Sequence, residues 1–270
     1  MTSLRQQVKQ ILPAPLWGAA RDSWLALRHL ALWPAAFLHP QRRQSIARLA
    51  RYRNVHRGRR AFILGNGPSL ASTDVSQLRD EISFGMNRVF LAFPEWGFQT
   101  SYFLTVNDLV LEQSAEEIAA LKLPKFLSWR SRAHIQADEH THFLHTTYER
   151  PHFATDVRGR LWEGATVTYV ALQLAYYMGC DPVILIGLDH SFSTQGPANQ
   201  TITSQGDDPD HFDARYFGPG FRWQLPDLET SERAYAMARQ AFAADGRQVL
   251  DATIGGKLDV FPKVEYASLF

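Results

Sequence analysis

The sequence predicts an α/β, Rossmann-like fold: a mostly parallel sheet with helices on both faces, preceded by a basic helical N-terminal arm. Three observations carry this. Ala61 to Leu64 and Pro182 to Gly187 are short apolar runs without a charged break, as expected of strands buried on both faces of a parallel sheet. Helical stretches, strongest over 164–178, alternate with such runs, the pattern of parallel strands joined by right-handed crossovers. The first run stops abruptly in Gly65-Asn66-Gly67-Pro68-Ser69, a strand-to-turn junction where α/β proteins bring backbone close to phosphate. It is neither the dinucleotide fingerprint nor the Walker loop.

The 270 residues leave room for one large α/β domain with an appendage. A hydrophobic content of 45%, with 17 Phe and 7 Trp, excludes a disordered chain. The single cysteine, Cys180, excludes a disulfide framework and reads as a small buried residue in a reducing compartment. The net charge of +1 conceals an asymmetry. Residues 1–60 carry 12 Lys/Arg against Asp22 alone, net +11, whereas the other 210 carry 16 Lys/Arg against 26 Asp/Glu, net −10. The expected division is a basic arm over 1–59 and an acidic body over 60–270.

In the arm, Leu4, Val8, Ile11 and Leu12 fall at helical spacing before Pro13 and Pro15, and 17–38 is rich in Trp, Leu and Ala. Arg28, His29 and Pro34 interrupt that second stretch, leaving it too short to span a bilayer, and it lacks the layout of a cleaved signal peptide. One reading is an interfacial helix backed by the basic stripe Arg42, Arg43, Arg48, Arg51, Arg53, Arg57, Arg59 and Arg60, giving a cytoplasmic protein held peripherally on the inner membrane. The other is a helical arm packed on the body or on a second subunit of a homo-oligomer. No motif supports a nucleic-acid partner.

In the body, Ser72-Thr73-Asp74 caps a short helix through Leu78, and strands are expected over 82–87, 101–106, 125–129 and 141–145. An acidic helix is expected over 112–121 and the strongest helix over 164–178, stopped by Gly179. The strand ending at Gly187, a helix over 230–244 and a last strand over 248–252 complete the order. His134, His140, His142, His145 and His152 fall in a poorly patterned region and read as surface residues.

Four strands end in small or polar residues: Gly65-Asn66-Gly67, Asn87, Asn107-Asp108, and Gly187-Leu188-Asp189-His190. The carboxyl ends of the strands of an open α/β sheet line one crevice, so these ends point to a nucleotide or phosphorylated ligand. The 191–223 stretch is a long, aperiodic but aromatic-rich loop, expected to form a lid over that crevice. His190 and His211 are the candidate general bases, with Asp189 orienting a base or holding a metal. Asp207 is a second candidate metal ligand, with Asp208, Asp210 and His211 beside it, although Asp207 and Asp208 read more readily as a solvated acidic turn; Mg²⁺ is the candidate cofactor.

The run Phe62 to Leu70 with its Gly-Asn-Gly-Pro-Ser-Leu element, the strand ending in Asn87, the helix 166–179 and the strand ending Gly187-Leu188-Asp189 resemble one superfamily. It comprises the bacterial lipooligosaccharide sialyltransferases, the motility-associated-factor glycosyltransferases and the MptE-like proteins named after an archaeal 6-hydroxymethyl-dihydropterin pyrophosphokinase. The resemblance covers about residues 60–261 and is closest to the MptE-like proteins. It implies that Asn66, Gly67, Ser69 and Asn87 contact a nucleotide, with Thr166 near its phosphate; Gly65, Pro68, Asn107 and Asp108, in the same turn or at the same strand ends, complete the expected nucleotide site. Where the sialyltransferases carry a catalytic histidine, in a segment similar to Arg215-Tyr216-Phe217-Gly218-Pro219, this chain has Pro219; His211 lies nearby.

The expected function is a nucleotide-dependent transferase: a glycosyltransferase using a nucleotide-activated, CMP-linked acidic sugar as donor and extending a cell-surface glycan. A Mg²⁺-dependent pyrophosphokinase acting from ATP on a pterin-like alcohol, and an inactive nucleotide-binding scaffold, are the alternatives.

Overall fold

The computed structural model describes Pro34 and residues 36–270. The helices expected over 4–12 and most of 17–38 therefore lie outside the described residues. The chain divides into two compact units, Met1–Gln44 and Ser45–Phe270. In the first, the Arg42 guanidinium lies over the Phe37 ring, 5.9 Å from its centroid.

Within residues 40–270 the α-helices are α1 (Pro40–Leu49), α2 (Phe93–Trp96), α3 (Asp108–Gln113), α4 (Ala115–Ala120), α5 (Val167–Met178) and α6 (Leu228–Ala244). The strands are β1 (Ala61–Leu64), β2 (Ile82–Met86), β3 (Tyr102–Thr105), β4 (Lys125–Ser128), β5 (Thr141–Thr147), β6 (Arg160–Trp162), β7 (Val183–Ile186), β8 (Thr201–Thr203), β9 (Arg222–Gln224) and β10 (Val249–Asp251). Eight of them form one sheet in the order β10-β7-β1-β2-β3-β4-β5-β6, every neighbouring pair parallel. The fold is α/β and Rossmann-like.

The unbroken apolar character of β1 follows from its two-sided burial. Ala61 and Ile63 join the core beneath α5 and α6, while Phe62 and Leu64 join the opposite core with Leu70, Leu78 and Tyr266. Each large side chain so buried contributes roughly 1.5–3 kcal/mol. The second core is roofed by 3₁₀ turns at Pro68–Ser72, Val75–Leu78 and Tyr266–Leu269. The expected Asp74 cap is present, its carboxylate accepting from Ser76 N–H at 3.2 Å.

From β1 the chain steps outward through β2 to β6, then returns through α5 to β7 on the other side of β1 and continues through α6 to β10. The strand order reverses between β1 and β7, and the crevice outside their carboxyl ends is where such sheets bind ligands.

Several boundaries differ from expectation. Helix α5 starts at Val167, not at 164, because Gly164 and Ala165 both have φ +59° and Thr166 is the extended cap residue, its side chain accepting from Thr168 N–H at 3.2 Å. Gly179 ends it at φ +82°, as expected. The acidic helix is two helices, because Asn107 caps α3 early, accepting from Leu109 and Val110 N–H, and Ser114 breaks the run. Strand β6 and the β8–β9 hairpin were not expected.

Residues 45–58 of the basic segment are built into the second unit. Asn54, His56 and Gly58 N–H donate to the carbonyls of Tyr177, Met178 and Gly179 at 2.9–3.0 Å. Arg51, Arg53, Arg57 and Arg59 remain exposed. His142 is buried, not a surface residue: its Nε2 meets the Tyr52 hydroxyl at 3.0 Å, and burial pushes its pKa down to about 4. Cys180 is fully buried and its thiol is pushed up to about 12 by burial. Among the described residues, no helix is long and apolar enough to cross a membrane.

Candidate active site

The crevice at the β1/β7 reversal is a cavity of about 830 Å³, toward the upper end of the range for small-molecule sites. Its floor is the carboxyl ends of β1, β2, β3 and β7, one wall is the entry to α5, and the roof is the loop after β7.

The floor explains the Gly-Asn-Gly turn. Gly67 N–H donates to Gly187 O at 2.9 Å, drawing the two strand ends together. A Cβ on Gly65 would lie 2.2 Å from Gly187 O, and one on Gly67 would lie 1.9 Å from Asp189 Oδ2, so neither position admits a side chain. Asp189 holds the turn from the far side: Ser69 N–H donates to Oδ1 at 3.2 Å and Ser69 Oγ to Oδ2 at 2.7 Å. Asn66 Oδ1 is buried without a hydrogen-bond partner. An unpaired buried acceptor costs about 1–3 kcal/mol, which a ligand donor at that point recovers.

Helix α5 presents its N-terminus to the cavity through Ala165, Thr166, Val167 and Thr168, with no acidic residue in the first turn. Free N–H groups and the helix dipole make this an anion-attracting wall. Thr166 Oγ1 also lies 3.2 Å from the Tyr235 hydroxyl. Ala165 holds φ +59°, unfavourable for a residue with a Cβ, and is exposed on this wall.

Asn87, at φ +51°, accepts from Thr105 Oγ1 at 2.8 Å and reaches the buried Tyr216 hydroxyl, whose pKa burial raises. Arg88 then fastens the roof. Its Nη1 donates to Arg215 O at 2.9 Å and to Tyr216 O, and its guanidinium lies 4.8 Å from the centre of the Phe221 ring. Phe212 N–H donates to Asn66 O at 2.9 Å, and Gln113 Nε2 to Arg222 O at 2.8 Å. The 191–223 loop lies over the strand ends and is fixed there at three places: the turn after β1, the residue that follows Asn87, and the end of α3.

Both candidate histidines reach the cavity, each on a carboxylate. His211 Nδ1 is 2.7 Å from Asp208 Oδ2, and its ring stacks on Tyr216 with centroids 4.1 Å apart. Asp208 is buried, not a solvated turn, and it also accepts from Phe217 N–H at 3.0 Å and from Asp210 N–H at 2.9 Å. A carboxylate on Nδ1 fixes the tautomer that leaves Nε2 as proton acceptor. His190, at φ +54°, has its Nε2 2.8 Å from Glu232 Oε1, on an exposed side chain.

Of the expected nucleotide contacts, Gly65, Asn66, Gly67, Asn87, Asn107, Asp108 and Thr166 line the cavity, whereas Pro68 and Ser69 stand behind its wall. Asn107 has its oxygen committed to the α3 cap, and Asp108 is paired with Arg130 at 3.2 Å. Asp189 lines the cavity but Asp207 is exposed and outside it, so the two expected metal ligands are not brought together. Among the described residues no three His, Cys, Asp or Glu side chains gather as a metal cluster. Arg88, Arg130, Glu163 and Asp208 were missed. Only Asp208 carried a local signal, its i, i+3 spacing to His211; Arg130 and Glu163 meet each other from separate strand ends, and Arg88 meets the lid.

Residues 39–195 match the family described as 6-hydroxymethylpterin diphosphokinase MptE-like, more than half of the chain. The chain belongs to the MptE-like family. No curated protein matches it. Among solved structures, this MptE-like chain is similar to the MAf glycosyltransferase of Magnetospirillum magneticum AMB-1, with 17% identity and a TM-score of 0.51. That likeness covers 96% of this chain but 43% of the glycosyltransferase, so the chain spans less than half of that protein. A mammalian sialyltransferase, solved with Gal-beta-1-3GalNAc-ortho-nitrophenol, is matched at 11% identity and a TM-score of 0.38 over 84% of each chain.

Proposed function

We propose that this MptE-like protein is a glycosyltransferase whose donor is a sugar joined to a nucleoside monophosphate, with a glycan hydroxyl as acceptor. The observation that carries the reading is the make-up of the cavity wall. Among the described residues lining it there is no Lys or Arg; what it offers an anion is the α5 N-terminus, the turn backbone and two histidines. Such a wall suits the single charge of a phosphodiester. A triphosphate, even with one Mg²⁺, keeps a net charge of about −2, twice that of the phosphodiester, on a surface that also carries Asp108, Glu163, Asp189, Asp210 and Asp227.

In this reading His211 Nε2 takes the proton of the acceptor hydroxyl as its oxygen bonds to the anomeric carbon. The bond from that carbon to the phosphate oxygen breaks, and the leaving monophosphate carries the electron pair toward the α5 N-terminus. Asp208 orients His211 and stabilises it once protonated. Asn66 and Asn87 hold the nucleoside side of the donor. His190 and Asp189 shape the floor.

The family description names a diphosphokinase, which keeps the ATP-dependent alternative in the comparison; there Mg²⁺ would neutralise the transferred group. Asp189 is engaged by Ser69, Asp210 by Ser193 and Thr194, and Asp108 by Arg130, so that ion would depend mainly on the phosphates themselves. A melting-curve series with CMP, UDP, GDP, ADP and ATP, each with and without Mg²⁺, separates the two. Stabilisation by CMP without metal is expected, about 2.7 kcal/mol at one hundred times its dissociation constant. Stabilisation only by ATP with Mg²⁺ would overturn the glycosyltransferase reading.

A further inference from the structure

At the end of the cavity away from β7 stands a polar cluster that the donor does not need. Asp108, Tyr148, Trp162 and Glu163 all line the cavity there, and Arg130 ties them together. Its Nε donates to Asp108 Oδ1 and Oδ2 at 3.2 Å, its Nη1 to Thr146 O at 2.9 Å and to Thr146 Oγ1 at 3.1 Å, and its Nη2 to the Tyr148 hydroxyl at 2.8 Å. Nη2 also meets Val106 O at 3.3 Å and the Glu163 carboxylate at 2.7 Å. Every nitrogen of the guanidinium is engaged, so it has no edge left for a phosphate or a carboxylate. Two carboxyl groups face this one cation. The α5 end of the cavity attracts anions; this end does not.

Two features at this end are left open. Tyr148 is 59% exposed, yet its ring is held still. The Tyr148 hydroxyl meets Arg130 and donates to Asp108 Oδ2 at 3.2 Å, and its carbonyl accepts from Trp162 Nε1 at 3.1 Å. The guanidinium lies over the Tyr148 ring, 4.5 Å from the centroid, so the exposed area belongs to the other side. Beside it the Asp108 side chain is 51% exposed. Arg130 fixes its plane while leaving acceptor capacity on Oδ1. A rigid aromatic face next to an oriented carboxylate matches a pyranose: the apolar ring face lies on the tyrosine, and adjacent hydroxyls donate to the carboxylate.

We propose that Tyr148 and Asp108, held by Arg130 and Glu163, form the acceptor subsite, and that it selects an uncharged, hydroxyl-rich sugar residue and rejects a carboxylated one. This rests on the glycosyltransferase reading for its place in the reaction, but binding alone tests it. Saturation-transfer NMR on the full chain, with methyl β-glucoside, methyl β-galactoside, methyl N-acetyl-β-glucosaminide and methyl β-glucuronide, supplies the probes; glucoside and glucuronide differ only in the C6 group. At least one neutral glycoside is expected to bind, at least about tenfold tighter than the glucuronide, as loss of a charge-assisted hydrogen bond plus repulsion requires.

Asp108→Ala and Tyr148→Ala should each weaken that binding about tenfold, and Asp108→Asn should narrow the gap to the glucuronide. For Tyr148→Ala the CMP-induced melting shift should stay as in the parent protein, and far-UV circular dichroism together with a cooperative melt shows that all three variants are folded. Equal binding of glucuronide and glucoside, neutral binding unaffected by both alanine variants, or no neutral binding by a CMP-responsive protein would each overturn the subsite. Asp108-dependent glycoside binding without any response to CMP would leave the subsite standing and sink the donor reading instead.

Discussion

The two histidines of the cavity look alike at first contact and differ in what stands behind them. His190 is carried by the end of β7 and meets Glu232, whose side chain is 55% exposed. His211 is carried by the lid and meets Asp208, whose side chain is 3% exposed and which also accepts two backbone N–H groups. Water competes for Glu232 at every moment, so that pair is worth a few tenths of a kcal/mol. Asp208 has no such competitor and is itself held in position, so it fixes the orientation of His211. A carboxylate beside a histidine says little by itself; the burial of that carboxylate decides whether the imidazole is an oriented base or a loosely tethered one.

The largest effect should follow from testing the two directly. His211→Ala is expected to lower the rate of nucleoside monophosphate release from donor and acceptor by about 10³-fold, within the usual span for losing a general base, with the nucleotide melting shift retained. His190→Ala should cost about tenfold or less, consistent with shaping the floor and no more. If the two losses are reversed, burial of the partner is the wrong criterion and His190 is the base.

The same contrast recurs around Arg130, where it reads out in stability. Glu163 is buried and its carboxyl is pushed up by burial, against the opposing pull of Arg130; Asp108 meets the same guanidinium half-exposed. Burial likewise works against the charge on Arg130, but Glu163, Tyr148 and Asp108 together hold its pKa above the ordinary value. Glu163→Ala removes the buried partner of a largely buried cation and should cost about 3 kcal/mol in urea unfolding. Asp108→Asn should cost under about 1 kcal/mol, as expected for a solvated pair. Equal costs would mean that Arg130 does not distinguish its two partners by burial.

These contrasts also separate what the sequence discloses from what it hides. The floor of the cavity was legible, because Ala61–Leu64 and Val183–Ile186 are fully buried strands and a buried strand must be apolar throughout. The turns after them need Gly65, Gly67 and Gly187, whose lack of a side chain is visible in the chain itself. Asn87 was found because it ends a strand, whereas Thr166 came from the family resemblance alone, the helix having been expected to begin at 164. Arg130, Glu163 and Arg88 were not found. The hydrogen-bonding and ionic partners of their side chains lie 16 or more residues away, at other strand ends for Arg130 and Glu163 and in the lid for Arg88, and no local pattern records such meetings. The entry to α5 was misjudged because Gly164 and Ala165 continue the helix's small-residue composition while their backbone turns left-handed.

A third histidine sharpens the comparison at its smallest scale. His142 is buried like Asp208 but bonds a neutral partner, the Tyr52 hydroxyl. Burial first, then Arg48 and His140, press its pKa down to about 4, with Asp138 opposing weakly. Because the folded value lies below the unfolded one, near 6.5, both states are neutral at pH 8 and His142 then contributes nothing to pH dependence. As the pH falls through 6.5 the unfolded chain takes up the proton and the folded chain does not, so stability declines until the pH nears 4. Between pH 7 and 5 the loss should be about 1–2 kcal/mol, and His142→Gln should flatten that part of the urea-denaturation profile whatever its own cost. A slope unchanged by His142→Gln would assign it to other groups. A flattened slope would show an imidazole kept neutral by burial on a neutral partner, at a place where His211 instead meets a carboxylate.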